Sequence, residues 1–118
     1  MLTSALLGII EDAGRGVLIL TESVGDAQLL SLRLTRDETR RRLLMIADSV
    51  ASLPPDARRQ LSTIDWDGWT LLARALRGTD AGAMREALSF GVRTMVPATL
   101  LGLQLYRKSH PDLFVFRP

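Results

Sequence analysis

Cysteine is absent from this sequence of 118 residues, and histidine and lysine each occur only once. The lack of cysteine excludes disulfide bonds and thiolate metal sites, as is common in proteins of a reducing compartment. The one imidazole, on His110, leaves no histidine set for a zinc site and a single candidate for a neutral-pH general base. No motif for a nucleotide, metal or organic cofactor is present, so we expect none to be bound.

Long apolar runs and a strong net charge are also missing. The formal net charge is +2 at pH 7, too small to attract nucleic acid by itself. The longest uncharged apolar run, residues 94–106, is too short to cross a bilayer. The first twenty residues are apolar, but Glu11, Asp12 and Arg15 interrupt them and no basic region precedes them, unlike a signal peptide. We therefore expect a cytoplasmic protein that does not associate with membranes.

Apolar residues make up 47% of the chain, and most of them recur with the period of an α-helix. No segment alternates like a convincing strand. The pattern predicts an all-α fold, an antiparallel helical bundle of four to five helices. We expect one domain over residues 1–118, with residues 109–118 as a tail in which Phe114 and Phe116 alternate like an extended segment. The predicted core comprises Leu6, Ile10, Val17, Leu43, Ile46, Val50, Trp69, Leu72, Leu76, Leu88, Val92 and Leu100.

Polar residues and prolines at the edges of these periodic segments predict where the helices begin and end. Thr35 and Glu38 have the spacing of a capping box, and Gly25-Asp26 separates the first helix from a short one over residues 27–34. Pro54-Pro55 stops a helix, and Pro97 must kink or divide the last one. The predicted capping residues are Thr3 or Ser4, Thr35, Asp65 or Asp67, and Asp80, with Gly78 closing the helix that contains Trp69.

Carboxylate pairs are the first candidates for chemistry. Glu11-Asp12 and Asp37-Glu38 are adjacent on helices, where neighbouring side chains diverge, and this disfavours an acid–base pair. Asp65 and Asp67 flank a helix start, where capping explains both. We interpret these carboxylates as structural.

Arginines are the second candidates, since fourteen of the fifteen basic residues are arginine. Arg40-Arg41-Arg42 points around one helical turn, which is typical of a solvated face. Arg74 and Arg77 lie three residues apart at the end of a helix, where cations favour the helix dipole. Two guanidinium groups on one face can also bind a phosphate or another anion, so we predict an anion or RNA contact there.

A succession of segments resembles a known family. An acidic "IIEDA" helix is followed by "LTRDETRRRLLMIADSVASLPPDAR", then by a tryptophan-containing helix in "IDWDGWTLLARALRGTDAGA", and then by a helix with an internal Val-Pro. This order, over roughly residues 8–103, resembles the HEPN domains and specifically their HepT-like branch. The resemblance implies a helical bundle that forms a homodimer. Many members are ribonuclease toxins encoded beside a small nucleotidyltransferase antitoxin.

The resemblance also places the family's active motif, an arginine followed after four to six residues by a histidine, on this chain. The motif arginine corresponds to Arg74 and the motif aspartate to Asp80, but Thr79 stands in place of the histidine. Ala75 and Ala81 stand in place of the family's asparagine and tyrosine. A threonine cannot act as an acid or base near neutral pH. The resemblance therefore implies a degenerate ribonuclease that binds itself, a nucleotidyltransferase partner, or weakly RNA or nucleotide.

Two alternatives remain. The domain could be an active ribonuclease that uses other residues, with Arg74, Thr79 and Asp80 positioning RNA. It could also be an unrelated nucleic-acid-binding module that reads DNA through Arg40–Arg42. Independently of the family, the first helix carries apolar residues off its main face, which predicts a partner surface. These residues are Leu7, Ile9, Leu18 and Ile19.

Overall fold

The structure is a computed structural model that describes residues 2–115, and within this range the chain is helical with no strand. The predicted all-α class is thereby confirmed. None of the helices within residues 2–115 combines the length and apolar character needed to cross a membrane. The α-helical segments are α1 (Leu2–Thr21), α2 (Asp26–Ser31), α3 (Arg33–Ser52), α4 (Pro55–Gln60), α5 (Trp66–Arg77), α6 (Ala81–Phe90) and α7 (Val96–Ser109).

The three longest helices pack side by side around one core. Helix α1 contacts both α3 and α7, α3 also contacts α5, and α5 forms a hairpin with α6. Helices α1 and α7 run antiparallel, since Gly14 faces Leu100 while Glu11, one turn earlier, meets Arg107. A β-carbon on Gly14 would lie 3.0 Å from the Leu100 side chain, so this glycine allows α7 to approach α1 closely.

The predicted core is confirmed at eleven of its twelve positions, which are buried. The exception is Leu100, which is only partly buried and packs at the edge of the core against α1. The prediction that Leu7 remains uncovered is also wrong, because Leu7 is completely buried. Helix α1 is covered on two sides, by α3 and α7, and Leu7 lies under that cover.

Two predicted helix starts are wrong. Helix α1 begins at Leu2, ahead of Thr3 and Ser4, so neither residue is its cap. Helix α3 begins at Arg33, two residues before the predicted capping box, with Leu32 at the N-cap position and no side-chain cap. The segment predicted as one helix over residues 27–34 is thus divided at Leu32, whose backbone is extended.

The other predicted boundaries agree with the structure. Asp65 caps α5 by accepting a hydrogen bond from the Gly68 amide at 2.9 Å, and Asp80 caps α6 by accepting one from the Ala83 amide at 3.1 Å. Gly78 occupies the C-terminal cap of α5 in an extended conformation. The prolines end α3 at Ser52, and Pro55 is the first residue of α4.

Pro97 lies in the first turn of α7, directly after a π-helical turn over Gly91–Met95. The backbone stays helical through this turn, so α6 and α7 form one continuous helical segment. The wider turn accommodates the proline, which lacks the amide proton that an α-helix requires there.

The prediction of an extended tail is wrong. Ser109 still belongs to α7, and Pro111–Leu113 forms a short 3-10 helix. Phe114 packs under the guanidinium of Arg107, which lies 4.7 Å from the ring centre. Phe116, the other residue of the predicted alternation, lies outside the described residues.

Candidate functional site

The junction between α5 and α6 contains the residues that the family resemblance predicts to form a site. Helix α5 ends at Arg77, and a three-residue connection leads to Ala81 at the start of α6. Thr79 and Ala81 are exposed, and the Asp80 carboxylate is engaged in capping α6. Arg74 is exposed and has no hydrogen-bond or salt-bridge partner within residues 2–115, so its guanidinium is available to a ligand.

The second arginine of the predicted anion site is already paired. Arg77 Nη2 donates a hydrogen bond to Asp48 Oδ1 on α3 at 2.6 Å. Both side chains are more than half exposed, so this ion pair is weak and solvent-screened. The structure therefore leaves Arg74 as the free cation of the pair, and Arg77 could join it only by leaving Asp48.

The chain's one histidine is far from this junction. His110 lies just beyond α7, where its Nδ1 is 2.8 Å from Ser109 Oγ and its ring packs edge-on against Tyr106. The Tyr106 hydroxyl contacts Thr63, which comes three residues before α5 begins. His110 is thus near the N-terminal end of α5 and Thr79 follows its C-terminal end, about 18 Å away for a helix of this length. Within one chain, His110 therefore supplies no imidazole to the α5–α6 junction.

The run Arg40–Arg42 is occupied by contacts within the chain. Arg40 Nε donates to the Leu76 carbonyl at 2.8 Å, at the C-terminal end of α5. Arg41 and Arg42 both donate to the Glu38 carboxylate, at 2.6 and 2.9 Å. The Arg41 hydrogen bond is the main cause that lowers the pKa of Glu38 to about 2, and Arg42 adds to it. These contacts fix the arginines to the surface of α3 and to the end of α5.

An apolar groove lies between α5 and α6, and Asp26 of α2 also lines it. Its volume is about 840 Å³. Leu71 of α5 and Phe90 of α6 line it and are 61% and 51% exposed. Glu86 and Asp65 also line it, and Arg93, a further lining residue, donates a hydrogen bond of 2.9 Å to Asp26. Apolar side chains line the groove together with three carboxylates and one guanidinium, a mixture that suits a protein segment better than a phosphate.

A polar pocket of about 350 Å³ lies between α1 and α7 and was missed by the sequence analysis. Glu11 is its buried carboxylate, and it accepts hydrogen bonds from Arg107 and, at 3.4 Å, from Arg15. The helical spacing could have indicated that Glu11 is buried, because Glu11 lies four residues after the buried Leu7 and three before the buried Gly14. The contact between Glu11 and Arg107 joins α1 to α7. Because Arg107 and Arg15 already neutralise the Glu11 carboxylate, we interpret this cluster as structural.

No protein-family model, curated protein sequence or solved structure matches the chain. Within residues 2–115, no three histidine, aspartate or glutamate side chains lie close enough together to hold a metal ion.

Proposed function

We propose that this protein is a catalytically silent HEPN-like domain of the HepT branch that acts by binding. The observation that carries the proposal is the composition of the α5–α6 junction. An exposed, unpartnered arginine, Arg74, is kept there within the described chain, while Thr79 occupies the position of the motif histidine. The cation that would hold a phosphate is present without the group that would transfer a proton.

Other acid–base groups near the junction do not supply the missing function. The Asp80 carboxylate accepts the backbone hydrogen bond that starts α6, and Asp48 is paired with Arg77. A general acid or base works best when its pKa lies near the working pH, and the Thr79 hydroxyl has no such pKa. We therefore expect no RNA cleavage above background.

Binding is the activity that the surface supports. The apolar groove between α5 and α6 begins beside the junction, where Ala75 and Ala83 line it. This groove is the proposed contact for a protein, either a second copy or a small nucleotidyltransferase. Arg74 alone supports at most a weak contact with RNA or nucleotide, because one exposed guanidinium binds phosphate weakly in water. A nucleotidyltransferase gene next to the gene for this chain would support the second partner.

Restoring the motif tests the proposal. The triple substitution Ala75→Asn, Thr79→His and Ala81→Tyr rebuilds the family pattern in place, and all three positions are partly or fully exposed. We expect the wild type to leave a generic single-stranded RNA intact and the triple variant to cleave it. Loss of one acid–base group costs about 10²- to 10⁴-fold in rate, and restoration should return part of it.

Arg74→Ala in the triple variant should abolish the gained cleavage. Arg59→Ala is the matched control, since Arg59 is an exposed arginine on α4, which precedes the opposite end of α5. Robust cleavage by the wild-type protein would refute the silent-domain proposal. A triple variant that folds normally, as judged by circular dichroism, and remains inert would remove the main support for placing the motif on Arg74 and Thr79.

A further inference from the structure

Each of the two helices beside the apolar groove presents one stripe of side chains to it. Within each stripe the residues recur at intervals of three or four, so each stripe follows one side of its helix for about two turns. The groove is therefore the seam of the α5–α6 hairpin. The stripes are Gly68, Leu71, Leu72 and Ala75 on α5, and Ala83, Glu86, Ala87 and Phe90 on α6.

The groove is long enough to hold about three turns of a further helix. Its lining continues from Ala83 on α6 through the π-helical turn to Thr94, a length of about 16 Å. One end lies beside the α5–α6 junction, at Ala75 and Ala83, and the other includes Asp65, which caps the start of α5. A helix of about eleven residues would span this length.

The shape of the groove favours a helix over an extended peptide. An extended peptide gains affinity by adding a strand to a sheet edge, and residues 2–115 contain no strand. A helix instead binds with apolar residues at positions i, i+3, i+4 and i+7 of one face. Leu72 and Ala87 are buried at the floor of the groove, while Leu71 and Phe90 are more than half exposed. The exposed pair would contact such a face from both sides.

The charged side chains that line the groove are mostly acidic. They are the carboxylates of Asp26, Asp65 and Glu86 and the guanidinium of Arg93, which donates to Asp26 at 2.9 Å. Asp65 accepts a backbone amide hydrogen bond, which leaves its charge in place. Glu86 has no hydrogen-bond or salt-bridge partner among the described residues. Three carboxylates and one guanidinium leave two negative charges, on a chain whose net charge is +2.

Glu86 and Phe90 together form a place for a cation. They lie four residues apart on α6 and both line the groove, so their side chains are neighbours. A guanidinium above the exposed ring can contact the face of the ring and donate a hydrogen bond to the carboxylate. A partner arginine would thus be recognised by its charge and by its planar shape.

We propose that this groove binds one basic amphipathic α-helix of a partner protein. The apolar face of that helix lies along the seam between α5 and α6, and an arginine or lysine on its flank contacts Glu86 and Phe90. A second basic residue, toward the far end of the groove, lies close to Asp65. The inference rests on the proposed function as a binding domain, and it specifies the chemistry of the partner segment.

The size of the groove sets the expected affinity. A standard interface buries about 800 Å² per partner, and a helix of three turns contacts less than this. An isolated peptide must also become helical when it binds, which weakens binding further. We therefore expect a Kd on the order of 10 to 100 µM for a peptide.

Fluorescence anisotropy with three labelled peptides of about fifteen residues tests the proposal. The basic peptide carries leucine at i, i+3, i+4 and i+7 spacing and arginine on both sides of this stripe. Its acidic twin has glutamate in place of every arginine, and the third peptide has the composition of the basic one with its leucines spread around the helix. We expect the basic peptide to bind and the other two to bind at least about tenfold more weakly.

Two substitutions locate the binding in the groove. Glu86→Lys should raise the Kd of the basic peptide at least about tenfold and lower that of the acidic twin, because it reverses the charge at the contact. Phe90→Ser should raise the Kd of the basic peptide about three- to tenfold, because it removes the ring. Glu22→Lys and Leu34→Ser are the matched controls, at exposed residues that do not line the groove, and should change Kd less than about twofold.

Four results would overturn the proposal. The first is no binding of the basic peptide at protein concentrations up to about 500 µM, well above the expected Kd. The second is an acidic twin or a spread-leucine peptide that binds as tightly as the basic one. The third is a Kd that Glu86→Lys and Glu22→Lys raise equally. The fourth is a wild-type protein that forms a dimer which Phe90→Ser dissociates, because a second copy would then occupy the groove.

The RNA assay tests the silent-domain proposal separately. A chain that neither cleaves RNA nor binds the basic peptide would refute only the amphipathic-helix partner. A chain that binds the peptide and also cleaves RNA would refute only the silence of the domain.

Discussion

Replacing Thr99 with valine should weaken the contact that joins α5 to α7 at the centre of the core. The Trp69 indole Nε1 donates a hydrogen bond to Thr99 Oγ1 at 3.0 Å, and both side chains are buried. Valine has almost the same shape as threonine and a similar helix propensity, but it offers no acceptor. The substitution therefore removes one hydrogen bond and leaves the indole N–H buried without a partner.

The magnitude follows from that unpaired donor. A buried polar group that loses its partner costs about 1–3 kcal/mol, so we expect the free energy of unfolding to fall by about 2 kcal/mol. For a small domain, with an m-value of about 1–3 kcal/mol per molar urea, the unfolding midpoint should fall by about 1 M with m unchanged. The Trp69→Phe background lacks the donor, and there Thr99→Val should cost less than about 0.5 kcal/mol.

Thr39→Val is the matched control, and we expect it not to lower the stability. Thr39 is also completely buried on a helix, but its Oγ1 has no hydrogen-bond partner in the described chain. Thr39→Val removes an unsatisfied hydroxyl and should leave stability unchanged or raise it by up to about 1 kcal/mol. Urea unfolding followed by circular dichroism at 222 nm measures both variants. The reasoning is refuted if the two valine variants change stability equally, or if Thr99→Val costs as much in the Trp69→Phe background as in the wild type.

The remaining predictions concern charged and polar surface contacts. The pKa of Tyr106 is lowered because its phenolate would accept hydrogen bonds from the Thr63 hydroxyl and amide. Thr63→Val should therefore raise this pKa. Because Tyr106 is the only tyrosine, an absorbance titration at 295 nm measures it directly. The pKa of Glu38 is lowered from 4.5 to about 2. The ionised carboxylate therefore contributes fully to stability above pH 4.5, and this contribution is lost as the pH falls through 2. An NMR titration should follow this loss, and Glu38→Gln should abolish the pH dependence. Arg107→Gln should lower the free energy of unfolding by about 1–2 kcal/mol, and Arg15→Gln should lower it by less. The reason is that Arg107 makes the closer contact to the buried Glu11 carboxylate of α1. Equal losses on urea unfolding would contradict this.

Features that depend on neighbours within one helical turn could be predicted from the sequence. The caps at Asp65 and Asp80 need only an amide three residues ahead, and both are present. The helical period identified eleven buried core positions for the same reason, since it fixes which residues share a face. The residues of the candidate site, 74–81, are neighbours in the sequence, so residue order alone locates them at the end of α5 and the start of α6, and their role there stays a prediction.

The same local rules failed where another residue, near or distant in the sequence, competed for the same group. The Thr35 capping box needs the Glu38 side chain to reach back, but Arg41 and Arg42 bind that carboxylate. The Arg36 amide instead donates to the Leu32 carbonyl, so the helix starts earlier. Arg77 was expected to share a phosphate with its neighbour, but Asp48, twenty-nine residues away, pairs with it.

The amino-acid sequence alone determined the all-helical class, most of the buried positions and the presence of a single histidine, because these depend on residue identity and spacing. Only the tertiary structure decided which helix covers which face. It buried Glu11 against Arg107, ninety-six residues away, and joined α6 and α7 into one continuous helical segment. The physical reason is that an apolar stripe on a helix specifies that it must be covered, whereas the covering element is selected by packing between distant parts of the chain.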